Sequence, residues 1–279
     1  MNKRLLIGLK GLLAVAALGY LIYTIDGAAL WLALKQVDPM WIAVSLGLVP
    51  LVVGLDAAVW KGLLAPVIPD VSMPSVLRAV LSGSAWGVIT PARVGEFAGR
   101  AFSFPESDGW AISATVFAQR VLDTAICSVL GLGALGIALH AGWLPMNTLW
   151  TTVTIVVAVV SGVLTVAVCC PGRTARLIQW AAPHAERLHR RLAFLDQIDG
   201  ASGRRILQFA LLRQAVFCAL FASLVAAFGF TADPGDILVG IVLVFLAKFL
   251  LPSITLLDLG VREGAAVFAD GVTARTPQV

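Results

Sequence analysis

Charge is what this sequence has least of: Lys, Arg, Asp and Glu make up 13% of its 279 residues, against roughly 25% in soluble domains. The chemistry-bearing residues are equally thin. Its three histidines, His140, His184 and His189, fall in no metal-ligand motif. The four cysteines, Cys127, Cys169, Cys170 and Cys218, lie in or at the ends of apolar runs without ligand spacing, so they read as small core residues, not ligands or disulfides. There is no nucleophile elbow, phosphate-binding loop or glycine-rich dinucleotide fingerprint. A soluble catalytic domain, a metal site and a cofactor are therefore not expected, and the chain is expected not to be an enzyme.

What is present is hydrophobic. Apolar residues make up 59% of the chain and its mean hydropathy is +0.93. The apolar runs are each about 20 residues, enough to cross roughly 30 Å of hydrocarbon as an α-helix, and they do not alternate as the strands of a membrane barrel would. The expected fold is an all-α polytopic membrane protein forming a single integral domain over 1–279. Lys3 and Arg4 before an apolar run from Leu5 to Ile25 could suggest a signal peptide, but the run exceeds the usual core of about 7–15 residues, and a retained first span reads better.

Spans are expected at about 5–25, 41–64, 110–139, 148–170, 206–230 and 236–251, giving about six full transmembrane helices, with 76–104 as a hydrophobic segment broken at Thr90-Pro91. The net charge of +4 sits mainly in the loop 171–205, where Arg173, Arg176, Arg187, Arg190, Arg191, Arg204 and Arg205 face only Glu186, Asp196 and Asp199. Basic excess places that loop in the cytoplasm. It favours a membrane surface as the partner over nucleic acid. Leu177, Ile178, Trp180, Leu188 and Leu192 among those arginines suggest an amphipathic helix, although a plain topology signal explains the loop as well.

Loop charges then set the parity. Lys3 and Arg4 put the N-terminus inside, Asp26 to Pro39 reads as outside, Lys61 to Arg78 as inside, and Asp233 and Asp236 mark an outside loop. For this to close, 76–104 must enter and leave on the cytoplasmic side as a re-entrant broken helix, and 236–270 must do the same from outside, breaking between Pro252 and Gly260. Pro91 lacks an N–H and pushes Thr90 out of helical geometry, so the first break is chemically apt. The halves, about 1–140 and 148–279, then run in the same order with opposite orientation, an inverted repeat with two re-entrant segments. The pattern also calls for a last span, while Asp270 to Val279 is short and polar, so a chain continuing beyond Val279 is expected.

The two breaks hold the expensive residues. Around the first stand Pro91, Arg93, Gly95, Glu96 and Arg100; around the second, Pro252, Gly260, Arg262 and Glu263; Thr90 and Thr255 are 165 positions apart. If 92–104 is helical, Arg93, Glu96 and Arg100 share one face and Glu96 can pair with either arginine. Arg120 and Asp123 stand three apart in the next span and can pair too. Arg262 and Glu263 are adjacent and cannot face one another, so each needs a partner elsewhere. Such groups could simply fix helix packing, but arginines beside half-helix N-termini also suit a phosphate. Asp56, Arg213 and Lys248 are isolated in sequence; Asp56 and Arg213 are expected near cytoplasmic helix ends, snorkelling or in a helix-end contact, and Lys248 near the second break.

The segments Thr90-Pro91-Ala92-Arg93-Val94-Gly95-Glu96 with Arg100, Gln119-Arg120-Val121-Leu122-Asp123 and Gly260-Val261-Arg262-Glu263-Gly264 together resemble the lysylphosphatidylglycerol synthase transmembrane region family, the flippase-like domain proteins. The resemblance covers nearly the whole chain. Ala92 stands where that family usually has Gly, Asp258 falls in its Gly-rich approach, and its closing helix is missing. In aminoacyl-lipid synthases the related domain flips aminoacylated phosphatidylglycerol made by a soluble domain absent here. The resemblance thus implies a lipid-translocating protein of the plasma or inner membrane with its N-terminus in the cytoplasm and anionic lipids as partners. Arg93, Arg100, Arg120 and Arg262 would contact phosphate, while Glu96, Asp123 and Glu263 would neutralise them or bind a cationic part of the headgroup. Two competing readings are a membrane-embedded enzyme using Glu96, Asp123 or Glu263 as general base, and an accessory subunit docking a lipid-modifying enzyme.

Overall fold

The computed structural model describes residues 31, 35–90, 93–169, 193–229 and 232–250. The first span, Pro91, most of the basic loop and everything around the second break, including Pro252, Gly260, Arg262 and Glu263, lie outside them. Among the described residues there are seven α-helices, α1 (Pro39–Leu64), α2 (Met73–Ile89), α3 (Gly95–Phe102), α4 (Gly109–His140), α5 (Thr148–Cys169), α6 (Gly200–Ala227) and α7 (Pro234–Leu250), with one 3-10 turn at Ala193–Gln197 and no strand. Four of these helices are long and apolar enough to cross a bilayer: α1, α4, α5 and α6. The chain is a multi-pass membrane protein. The run expected to span at 236–251 forms α7, a shorter apolar helix.

Helix starts follow local chemistry. Asp38 accepts the Met40 N–H ahead of Pro39, and Asp108 accepts the Trp110 N–H at the head of α4, each satisfying a donor that no preceding turn can reach. Asp199 does the same for Ser202, so α6 starts at Gly200, earlier than the expected 206, and carries Arg204 and Arg205 on its first turns. The solvent-exposed carboxyl of Asp199 is held below the usual aspartate range by those hydrogen bonds from Ser202.

Two antiparallel helix pairs set the architecture. Along α1 and α6, the Asp38 N–H donates to the Ala227 carbonyl at 2.9 Å, the Ser45 and Ser223 hydroxyls share a 2.6 Å bond, Asp56 meets Arg213, and Gly62 faces Ile206. These contacts run from one end of the pair to the other. The α2 and α3 helices form a hairpin whose backbones nearly touch. A Cβ at Gly99 would lie 2.9 Å from Gly83 Cα and 3.0 Å from the Ser82 carbonyl oxygen, so only glycine permits this approach. The turn between them leaves helical geometry at Thr90 (φ −103°, ψ 140°), as a residue before proline should.

Apolar packing encloses the centre from both sides. Trp60 and Leu64 of α1, Val76 and Val80 of α2 and Ile112 and Val116 of α4 form one buried cluster. Another gathers α4, α6 and α7 around the Phe217, Phe221 and Phe245 rings, whose centroids lie 5.1 Å apart pairwise. The cysteines that fall in the cores, Cys127 and Cys218, are buried.

Candidate functional site

Between these clusters, where α1, α3, α4 and α6 meet, lies a continuous ionic network. Its hub is Glu96 on the first turn of α3, 1% exposed. Glu96 Oε1 accepts from Arg100 Nη2 at 2.7 Å. Its other oxygen, Oε2, accepts from Arg120 of α4 and stands 3.6 Å from Arg93 Nε. Glu96 therefore holds both neighbouring arginines and a third from another helix. Arg93 is not on the helix that the sequence suggested. Helix α3 begins at Gly95, and Arg93 sits in the connecting turn at φ 55°, a left-handed conformation uncommon for a side chain larger than glycine's and characteristic of strained functional turns.

Arg100 is the buried centre. Its Nη1 donates to Gln119 Oε1 at 2.7 Å and its Nη2 also reaches Asp56 Oδ2 at 3.3 Å. The guanidinium lies 4.7 Å from the centroid of the Trp60 ring, a cation–π contact strengthened by the lack of water. Trp60 is fixed in turn by its indole N–H, which donates to Thr115 Oγ1 at 3.0 Å. Asp56 accepts from Arg100, from Gln119 Nε2 at 2.8 Å and from Arg213 Nη1. Arg213 uses its second nitrogen on Asp123, and Asp123 lies 3.8 Å from Arg120 Nη1. The circuit closes through four helices.

This overturns the expectation for Asp56 and Arg213. Neither snorkels: Arg213 stands thirteen residues into a helix of 28, about 20 Å from either end at 1.5 Å per residue, and both of its terminal nitrogens are taken by carboxylates. An interior charge at that depth needs such partners. Sequence spacing assigns no role in the site to Asp56, Arg213, Gln119, Trp60 or Thr115. The available signal was a lone charge within an apolar run, since each such residue needs a counter-charge; Gln119 stood beside Arg120 in the family-like motif. The remaining site residues, Pro91, Pro252, Gly260, Arg262 and Glu263, lie outside the described residues, as does the Lys248 side chain.

Among the described residues, four arginines, Arg93, Arg100, Arg120 and Arg213, face three carboxylates, Asp56, Glu96 and Asp123, one positive charge in excess. Exposure divides the arginines. Arg100 and Arg213 side chains are 2% and 10% exposed, whereas those of Arg93 and Arg120 are 40% and 38% exposed. Among the described residues the network is thus closed at Arg100 and Arg213 and partly open at Arg93 and Arg120.

Over residues 7–273 the chain matches the family described as Lysylphosphatidylglycerol synthase TM region. That span covers nearly the whole sequence, and the chain belongs to this family. No curated protein and no solved structure matches it.

Proposed function

We propose that this member of the lysylphosphatidylglycerol synthase TM region family translocates lipid, admitting an anionic headgroup at the Glu96 cluster while the acyl tails stay in the bilayer. The observation that carries the reading is the open edge of the network. Charges among membrane helices are costly and mark function by default. A cluster serving helix packing alone has no need to leave two of its four arginines more than a third exposed.

The architecture supports the accompanying topology. Helix α3 has eight residues, about 12 Å of rise, far short of the roughly 30 Å hydrocarbon core. Together with α2 it suits a hairpin that enters and leaves on one side, the cytoplasmic one by loop charge. Helices α1 and α6 hold corresponding places in the two halves and run antiparallel, as an inverted repeat requires. Their end-to-end contacts join the halves, which argues against one repeat rocking as a whole against the other. The hairpin bearing Glu96 and Arg100 is the better candidate for the moving part.

A general base is not favoured. Among the described carboxylates, Asp56, Glu96 and Asp123 each already engage two or three donors, which disfavours them as acceptors of a substrate proton; Glu263 lies outside the described residues. The test is translocation of headgroup-labelled lipid in proteoliposomes of purified protein. Glu96→Gln should abolish selective movement of anionic lipid while the protein stays folded. A folded wild-type protein that moves no lipid would overturn the proposal and favour an enzyme or an accessory subunit.

A further inference from the structure

We infer that the rings of Phe217, Phe221 and Phe245 form a hydrophobic gate that closes the ionic network from the outer face, with α7 as its moving leaf. The inference rests on the inverted repeat and the loop-charge orientation, not on lipid as the cargo.

Polarity falls stepwise along α6 away from its basic first turns. Arg213 holds Asp56 and Asp123. Beside it, Gln214 stands between two buried thiols: Cys127 Sγ lies 3.6 Å from its Oε1, and its Nε2 lies 3.8 Å from Cys218 Sγ. Phe217 and Phe221 follow one and two turns beyond Arg213, about 6 and 12 Å along the helix axis. Phe245 of α7 stacks on Phe217 at an interplanar angle of 25° and meets Phe221 edge-on at 89°, each with centroids 5.1 Å apart. Three mutually packed rings next to a charged site make a constriction that water does not wet until the rings separate.

The repeat gives a reason for rings at this place. The offset of 165 residues between Thr90 and Thr255 carries Asp56 onto Phe221 and Leu48 onto Arg213. Within the antiparallel α1 and α6 pair, the place taken in one half by the Asp56 to Arg213 bridge is therefore taken in the other by Phe221 and Leu48. An inverted repeat turns those two places toward opposite sides of the membrane. One side is built of charges and the other of rings. The same offset sets Met73 of α2 onto Leu238 of α7, so α7 is the counterpart of the first hairpin helix. Its described contacts with α4 and α6 are apolar. Leu246 fills the space beside Gly131, where a Cβ would lie 2.8 Å from Leu246 Cδ1, and Phe245 packs on the two α6 rings. Such contacts can part without stranding a charge, whereas the bridge within the spine cannot.

The test reads thiol access and needs no cargo. With Cys169→Ser and Cys170→Ser in place, Cys127 and Cys218 are the two remaining thiols, both buried beside Gln214. A membrane-impermeant methanethiosulfonate cation is applied to right-side-out and, separately, to inside-out membrane vesicles. Phe245→Ala should speed labelling from the outer face by about tenfold, since a lost ring–ring contact weakens closure by up to that factor, and should leave the inner-face rate unchanged. Phe221→Ala, at a half-buried ring, should do the same and serves where Phe245→Ala melts early. Phe245→Leu keeps apolar bulk and should give a smaller rise. Equal acceleration from both faces, or none in variants that melt as wild type, would overturn the gate. So would wild-type thiols that label from outside as fast as those of Phe245→Ala. Outer-face acceleration in a protein that moves no lipid would uphold the gate and refute translocation.

Discussion

The hydroxyls of Ser45 on α1 and Ser223 on α6 lie 2.6 Å apart in a buried contact that joins the two halves of the chain. With Asp38 to Ala227 at one end and Gly62 to Ile206 at the other, it marks a helix pair that is continuous along its length. If α1 and α6 form a fixed spine, tying them covalently should cost nothing in function. A Ser45→Cys, Ser223→Cys double variant, with side chains close enough for a disulfide, should move labelled lipid equally well oxidised and reduced. Loss of movement on oxidation, restored by reductant, would show that this interface moves.

Backbone contact within the α2–α3 hairpin makes Gly99 sensitive to a single methyl. Its Cβ would meet Gly83 Cα, the Ser82 carbonyl oxygen and Trp86 Cδ1 at 2.8–3.0 Å, and two of these are main chain that cannot turn aside. Gly99→Ala should destabilise the protein by about 1–3 kcal/mol, the usual penalty of overpacking, and lower the midpoint of thermal unfolding in detergent. Gly133→Ala, inside α4 on a face with no atom near the added methyl, is the control and should leave the midpoint unchanged or raise it slightly, since helical Ala is favoured over Gly.

The fold was more legible than the site. Apolar runs gave the α1, α4 and α5 boundaries to within a few residues, because crossing a bilayer imposes a length. The start of α6 was misplaced because Asp199 caps a polar first turn that hydropathy reads as loop. In the site, Glu96 with Arg93 and Arg100 was readable as local spacing, and the Arg120 to Asp123 pair likewise. Asp56 with Arg213 was not. Those residues are 157 positions apart, and nothing local to either reveals the other; only the pairing of α1 with α6 does. Loop-charge bookkeeping placed them near helix ends and concealed the need for a partner.

Arg213 bridges Asp56 and Asp123 at the centre of the spine, so removing it takes a cation from a buried carboxylate, Asp123, and a half-buried one, Asp56. Arg213→Met should cost about 3–5 kcal/mol, as breaking a buried pair from one side does. Removing one charge from the other side should recover part of that loss. Asp123→Asn combined with Arg213→Met should be less destabilising than the sum of the single variants, with a coupling of about 1–3 kcal/mol. A double-variant cycle of unfolding free energies in one detergent measures this, and strict additivity would argue against the bridge.

Thr90 tests whether hairpin geometry governs the site. Its hydroxyl donates to the Trp86 carbonyl at 2.9 Å and accepts the Gly95 N–H at 2.6 Å, so one side chain ties the end of α2 to the start of α3 across the break. Gly95 precedes Glu96, and any drift there shifts the carboxylate on which Arg93 and Arg120 converge. Thr90→Val keeps the shape and loses both bonds. The stability cost should be modest, about 1 kcal/mol by analogy with a lost helix cap, while the preference for anionic over zwitterionic lipid should fall much further. Thr90→Ser should retain that preference because the hydroxyl remains. Measuring headgroup selectivity and melting on the same preparations separates the two effects. If Thr90→Val loses stability and selectivity in proportion, the hairpin acts only as packing; if selectivity falls alone, the turn sets the position of Glu96.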